Sequence, residues 1–70
     1  MISLMEIRFT RHGKNKVRLY KLASSDVEEA INCGEKVRQA GKWESRHGKL
    51  TVIWVTVGSY ALVVTVIKHK

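Results

Sequence analysis

The chain has 70 residues, with thirteen Lys and Arg against six Asp and Glu, for a formal net charge of +7. This length predicts a single domain over residues 1–70, near the size at which one hydrophobic core is only marginally sufficient. Cys33 is the only cysteine, which excludes an intrachain disulfide and indicates a reducing, cytoplasmic setting. The charged first residues are not typical of a signal peptide.

The excess of positive charge predicts a polyanionic partner. Counterion release from phosphates makes nucleic acid the first candidate, ahead of an acidic protein or a membrane surface. The segment 9–22 contains Arg11, Lys14, Lys16, Arg18, Lys21 and the titratable His12 without any acid. The alternative is an ordinary solvated face on a basic protein.

The N-terminal segment predicts a strand followed by a helix. From residue 2 to residue 10 the side chains alternate, with Met5, Ile7 and Phe9 on one face. Residues 11–21 predict a short basic helix. Gly13 and Val17 begin a narrow stripe on it that can rest on a sheet.

The segment "SSDVEEAINCG" predicts the second helix. Ser25 and Glu28 are spaced as a capping box, and Gly34 is a natural stop. The buried face is expected to be Val27, Ala30 and Ile31. Cys33, at the end of this helix, is expected to be a small buried side chain.

The C-terminal half predicts three strands. Residues 35–44 form one strand, the turn "SRHGK" follows, and residues 49–57 and 60–68 pair around Gly58 and Ser59. The uncharged run 50–67 reaches the length of a membrane span. Eleven of its eighteen residues are Val, Ile or Thr, which favour strands, so no membrane span is expected.

The predicted fold is therefore α+β, in the order β-α-α-β-β-β. An antiparallel sheet carries both helices on one face. The last two strands are apolar on both faces, so the second face requires cover from the neighbours of the first strand or from a second chain. A homodimer is one candidate for that cover.

Several short motifs resemble the RelE/ParE-like toxin superfamily, in particular a small subgroup of unknown function near the BrnT toxins. A family pattern F-x-x-H-x-x-x-R-x-x-x-R resembles the segment from Phe9 to Tyr20, with His12 at the family His. Lys16 and Tyr20 stand at the two Arg positions. Further matches are Ser24, Val27, Ala30 and Ile31 in the second helix, and Thr65 and Val66 in the last strand.

This resemblance implies a RelE-like fold and a ribonuclease toxin that cuts mRNA, often on the ribosome, and is silenced by an antitoxin chain. Related toxins poison gyrase instead. The expected partners are RNA or the ribosome, and an acidic antitoxin. Lys16 stands where the family pattern has an arginine. Its ammonium binds phosphate with less geometric specificity than a guanidinium does.

Metal-free RNA cleavage needs a base, an acid and cations for the phosphate. The candidate catalytic residues are His12, Lys16 and Tyr20, because His12 and Lys16 lie one helical turn apart and a tyrosine hydroxyl can donate a proton. The structural alternative is that His12 caps the helix start. No metal-ligand spacing and no glycine-rich phosphate loop occur in the sequence, so no cofactor is expected.

The candidate nucleic-acid contacts are basic residues on the helix, the hairpin turn and the strand ends: Arg8, Arg11, Lys14, Arg38, Arg46, His47 and Lys68. The basic residues of 8–21 are expected to share one surface with residues 38–49. The terminal "KHK" is either a hook that closes the site or a frayed tail. Trp54 is expected in the core, and Trp43 either there or at an interface.

Three classes of function remain from the sequence. The first is a toxin-like ribonuclease or a ribosome-directed RNA binder. The second is a non-catalytic nucleic-acid-binding module. The third is a degenerate toxin fold that acts through protein–protein contacts. Turnover of RNA and its dependence on His12 distinguish the first class from the second, and an acidic partner encoded nearby favours the third.

Overall fold

A sheet of five strands with two helices on one face makes up the computed structural model, which describes residues 6–69. The elements are β1 (Glu6–Phe9), α1 (Arg11–Leu19), α2 (Ser24–Cys33), β2 (Glu35–Gln39), β3 (Lys42–His47), β4 (Leu50–Val57) and β5 (Tyr60–Lys68). The strand order is β1-β5-β4-β3-β2. The predicted α+β class is confirmed. Residues 2–5 of the predicted first strand, and Met5 with them, lie outside the described residues.

The sheet differs from the prediction in two respects. It is mixed, because β1 runs parallel to β5 while all other neighbours are antiparallel. The segment expected to be a single strand is a hairpin of β2 and β3. Its two-residue turn holds Ala40 at φ 49° and Gly41 at φ 78°. Two positive φ angles suit the twist of a tight hairpin, but alanine rarely adopts one, so this pair is not an obvious turn in the sequence.

The hydrophobic core lies between the helices and the sheet. Val27, Ala30 and Ile31 of α2 are buried, as predicted. The buried apolar residues of the sheet are Val52, Trp54, Ala61, Val63 and Val66. Trp54 is therefore a core residue, as predicted, and its indole Nε1 donates a 2.8 Å hydrogen bond to the buried Ser45 hydroxyl. Full burial of each large apolar side chain contributes about 1.5–3 kcal/mol.

A β-bulge at Val64 interrupts the alternation of β5. Ile53 pairs with Thr65 whereas Trp54 pairs with Val63, so Val64 has no counterpart on β4. Side chains alternate between faces along a strand, so one extra residue exchanges the faces beyond it. As a result, the odd-numbered positions after the bulge face away from the helices. We call this uncovered side of the sheet the open face.

Helix α1 docks on this bulge through its first residues. The Thr10 hydroxyl lies 3.1 Å from the carbonyl oxygen of Val63 and 3.0 Å from that of Val64, and accepts a hydrogen bond from the amide of Gly13. A Cβ at Gly13 would lie 2.7 Å from the carbonyl oxygen of Val63. Gly13 thus permits a close approach of helix to strand, and Thr10 acts as the N-cap.

The start of α2 differs from the predicted capping box. The helix begins at Ser24, so Ala23 is the N-cap and the Asp26 carboxylate accepts a hydrogen bond from its backbone amide. Ser25 and Glu28 lie two positions too late for that role, which belongs to Ala23 and Asp26. The helix ends at Gly34 as expected. Cys33 is exposed rather than buried, because it faces away from the sheet on the last turn.

The open face carries apolar side chains without a covering layer. Ile53, Val55 and Leu62 are half-buried by their strand neighbours, and in the described part of the chain no second layer lies on them. The predicted hairpin around Gly58 is confirmed. None of the helices formed by residues 6–69 is long and apolar enough to span a membrane.

Candidate functional site on the open face

A cavity of about 350 Å³ lies on the open face at the end of strands β3, β4 and β5. Its lining residues are Glu44, Arg46, Gly48, Thr51, Ile67 and His69. The pairing of Arg46 with Thr51, and of Thr51 with Ile67, places the three side chains in one row across the sheet. The cavity therefore depends on strand register rather than on any local motif.

His69 is held over this cavity by two hydrogen bonds. Its backbone amide donates to the Lys49 carbonyl oxygen at 2.7 Å, one position beyond the end of β5. Its Nε2 lies 2.9 Å from the hydroxyl of Thr51, a residue that is 4% exposed. A buried partner fixes the orientation of the ring and leaves Nδ1 as the second nitrogen for a bound molecule. The bulge at Val64 is what brings His69 to this face.

Arg46 supplies the positive charge of the cavity. Its Nη2 lies 3.4 Å from Oε1 of Glu44, and the Arg46 side chain is 59% exposed. Such a long and exposed ion pair contributes at most about 1 kcal/mol. The remaining N–H donors of the guanidinium are oriented as a fork that suits a phosphate. Arg46 can therefore contact an anion in the cavity without breaking a strong internal bond.

A second cavity, of about 270 Å³, lies farther along β3. It is lined by Gln39, Ala40, Lys42, Trp43, Glu44 and Ile53. Glu44 is common to the two cavities and stands between them. The open face thus holds two adjoining depressions along β3, one beside Arg46 and one beside Lys42.

The predicted catalytic residues lie on the other side of the sheet, with His12 and Lys16 on α1 and Tyr20 as its C-cap. His12 is exposed, whereas Lys16 and Tyr20 are half-buried. The spacing of four residues aligns the three side chains along the helix, and the Lys16 ammonium lies 5.8 Å from the centre of the Tyr20 ring. The structure brings Lys16 and Tyr20 into contact, and it separates both of them and His12 from the Arg46 cavity.

The predicted nucleic-acid contacts fall into separate groups. Arg11 and Lys14 are exposed on α1, and Arg8 lies at the β1 edge, where its guanidinium stacks 4.3 Å from the Tyr60 ring centre. A hydrogen bond from Arg8 to Glu6, together with the charge of Glu6, raises the pKa of Arg8. Strands β1 and β2 form opposite edges of the sheet, roughly 19 Å apart at the usual strand spacing. The shared surface expected for residues 8–21 and 38–49 is therefore divided between those edges.

The remaining predicted contacts lie on the helix side of the β2–β3 edge and at the end of β5. Arg38 stacks over Trp43 at 5.4 Å, and Trp43 stacks on Trp54 with ring centroids 5.8 Å apart. His47 ends β3, and its Nε2 lies 2.7 Å from Oε1 of Glu29 on α2. Lys68 pairs with Leu50 on the helix side. Trp43 and His47 thus hold structural contacts.

Thr51, His69 and Glu44 were not among the predicted site residues. The hook predicted for the terminal "KHK" lies partly at this site, because His69 lines the cavity, while Lys70 lies outside the described residues. Thr51 and Glu44 carry no signal in the sequence, because their place depends on the pairing of three strands. Within residues 6–69, no three His, Cys, Asp or Glu side chains group as a possible metal site.

The element order, the mixed sheet and the helix layer together make a RelE-like fold. A chain of the toxin–antitoxin complex RelBE2 from Mycobacterium tuberculosis has this fold, with a TM-score of 0.67 and 18% sequence identity. The likeness covers 97% of this chain and 94% of that chain. No family model and no curated protein matches the sequence. The RelE-like fold predicted from the sequence motifs is confirmed.

Proposed function

We propose that this chain is the toxin of a toxin–antitoxin pair and cleaves single-stranded RNA in the cytoplasm without a metal ion. The observation that carries this proposal is the common cavity of Arg46 and His69 on the open face. The fold shared with a chain of a toxin–antitoxin complex, and the net charge of +7, support the same function. The cavity is open enough for a single strand, whose bases are free to turn outward.

The chemistry needs few groups. The 2′-hydroxyl of a ribose attacks the adjacent phosphorus, a P–O bond forms to that oxygen, and the bond to the 5′ oxygen of the next nucleotide breaks. His69 accepts the proton of the 2′-hydroxyl, and the departing 5′ oxygen takes a proton from water in the open cavity. Arg46 holds the non-bridging phosphate oxygens, which gain charge in the transition state. Thr51 keeps the His69 ring in place.

The basic residues of α1 have a different role in this proposal. Arg11, Lys14 and Lys16, with Arg8 and Lys68 at the strand ends, attract the RNA backbone and hold it near the domain. His12 and Tyr20 remain the alternative catalytic pair on α1. The aligned contact of Lys16 with Tyr20 is the observation in favour of that alternative.

The product ends test the proposed chemistry. RNA labelled at its 5′ end is incubated with a smaller molar amount of the protein in the presence of EDTA. We expect more cleavage events than protein molecules, and fragments that end in a 2′,3′-cyclic phosphate and begin with a 5′-hydroxyl. Fragments with 3′-hydroxyl ends, or cleavage that stops in EDTA, would show a different mechanism. RNA binding without cleavage would leave a nucleic-acid-binding module.

The antitoxin partner has its own test. An acidic chain that packs on Ile53, Val55 and Leu62 would bury the apolar side chains of the open face and block the cavity. Co-purification with the product of an adjacent reading frame should give a complex of defined stoichiometry, in which RNA cleavage is lost. A homodimer that forms without such a chain, measured by light scattering, would indicate that a second copy covers this face.

A further inference from the structure

Glu44 is the one carboxylate that lines both cavities, and its surroundings are not those of an ordinary surface acid. Its strand neighbours on the open face are Val37 on β2 and Ile53 on β4, both apolar. The Glu44 side chain is 23% exposed. The oxygens of Glu44 are 3.4 and 3.5 Å from a single nitrogen of Arg46. This weak bond leaves acceptor capacity on both oxygens for a bound molecule.

The spacing along β3 matches a single strand laid over the open face. Lys42, Glu44 and Arg46 are alternate residues, so each is about 7 Å from the next. A phosphate held by Arg46 in the first cavity places the base of the neighbouring nucleotide at Glu44 or in the second cavity. Ile53 forms an apolar wall there on which a base can rest. Lys42 lies at the far end, where the backbone continues.

From this arrangement we propose that the second cavity is a base-binding subsite for guanine, and that Glu44 is its specificity-determining residue. Guanine is the base whose Watson–Crick edge offers two adjacent donors, the N1–H and the exocyclic amino group. A carboxylate accepts both of them with its two oxygens, as it accepts the fork of an arginine. Adenine, cytosine and uracil each present an acceptor beside their donor, and that acceptor faces one carboxylate oxygen unfavourably.

This inference rests on the proposed function for the position of the strand, because the phosphate at Arg46 sets which base reaches Glu44. It adds a preference that the cleavage chemistry itself does not require. If Glu44 only neutralises the charge of Arg46, RNAs that carry different bases should bind with the same affinity.

The test measures binding separately from cleavage. Short 2′-O-methyl RNAs, which cannot be cleaved by attack of the 2′ oxygen, carry a single guanine, adenine, cytosine or uracil within a uracil background. Fluorescence anisotropy at one fixed salt concentration gives the dissociation constants. We expect the wild-type chain to bind the guanine RNA about tenfold more tightly than the adenine RNA, the discrimination typical of one bidentate contact.

The matched variants are Glu44→Gln and Glu35→Gln. Both remove one negative charge beside Arg46, because Glu35 pairs with Arg46 across β2 and β3, but Glu35 does not line either cavity. Glu44→Gln is expected to reduce the guanine-to-adenine ratio to near one, because an amide offers one acceptor and one donor. Glu35→Gln is expected to strengthen the binding of all four RNAs by the same factor. The guanine-to-adenine affinity ratio should therefore stay at the wild-type value.

A wild-type ratio near one, or a ratio that Glu44→Gln leaves unchanged, overturns the inference. If cleavable RNA is still cut in that case, the proposed function stands without the subsite. If the guanine ratio is found but no RNA is cut, the subsite stands and the nuclease proposal fails. Absence of binding to all four RNAs overturns both.

Discussion

Gly13 and Val63 approach so closely that the helix and the strand share a backbone contact. A Cβ at position 13 would lie 2.7 Å from the carbonyl oxygen of Val63, a distance that real Cβ atoms avoid. The oxygen belongs to the backbone of a central strand and cannot move away as a side chain would. The position of α1 on the sheet therefore depends on the absence of a side chain at residue 13.

Gly13→Ala is expected to destabilise the domain by about 1–3 kcal/mol through overpacking. The intrinsic preference of a helix for alanine, about 1 kcal/mol over glycine, acts in the opposite direction. The measurement is the free energy of unfolding in urea. Asn15→Ala on the exposed side of α1 is the control, and a small stabilisation is expected there. A Gly13→Ala chain more stable than wild type would refute the close contact.

Thr10 links the start of α1 to the bulge that turns His69 toward the open face. Thr10→Val removes the hydroxyl that caps Gly13 and contacts the Val63 and Val64 carbonyls. We expect a loss of about 0.5–2 kcal/mol of stability, the usual cost of a missing N-cap. Ser24→Ala is the control, since Ser24 begins α2 but is not its N-cap. Equal unfolding midpoints for the two variants would contradict this role.

Thr51 is a positioning residue for His69. Thr51→Val keeps the shape of the buried side chain but removes the hydroxyl 2.9 Å from Nε2. Loss of orientation is expected to lower RNA turnover by up to about 100-fold. The His69 ring signals in an NMR spectrum should shift as well. Thr56→Val, on the exposed end of β4, should change neither. Unchanged turnover in Thr51→Val would show that the contact does not orient the ring.

The α1 cations are expected to provide salt-dependent RNA affinity without base preference. Arg11→Ala and Lys14→Ala should each weaken binding of all RNAs similarly, and each should reduce the slope of log affinity against log salt by about 1. Glu28→Gln, which removes one negative charge from α2 and so changes the net charge away from α1, is the control for net charge alone. If the slope is unchanged in both Ala variants, RNA does not contact this helix.

The sequence predicted the elements whose signals are local. The β-branched run around Gly58, the apolar face of α2 and the basic α1 were all visible in the residue pattern. The hairpin at Ala40 and Gly41 was missed because alanine at positive φ gives no turn signal. Strict alternation along β5 would also have placed His69 on the helix side, since the bulge at Val64 has no marker in the sequence.

The candidate site likewise combines residues that local sequence motifs indicate with residues that only the tertiary structure brings together. His12 is favoured by the sequence because it stands at the family His of the motif and among basic residues. Thr51 and His69 are eighteen residues apart and meet only through the register of β4 with β5. Strand register is set by packing against α2 and by the bulge. Local sequence motifs therefore point to α1 and contain no signal for the site on the open face.

The proposed function requires that RNA is cleaved at His69 on the open face rather than at His12 on α1. The most direct measurement compares turnover of one labelled RNA by His69→Ala and His12→Ala, with folding of both variants checked by circular dichroism. Removal of the general base is expected to reduce the turnover of His69→Ala by about 10²–10⁴-fold, while His12→Ala keeps the wild-type value within a fewfold. The reverse outcome, activity retained in His69→Ala and lost in His12→Ala, would contradict the claim and move the active site to α1.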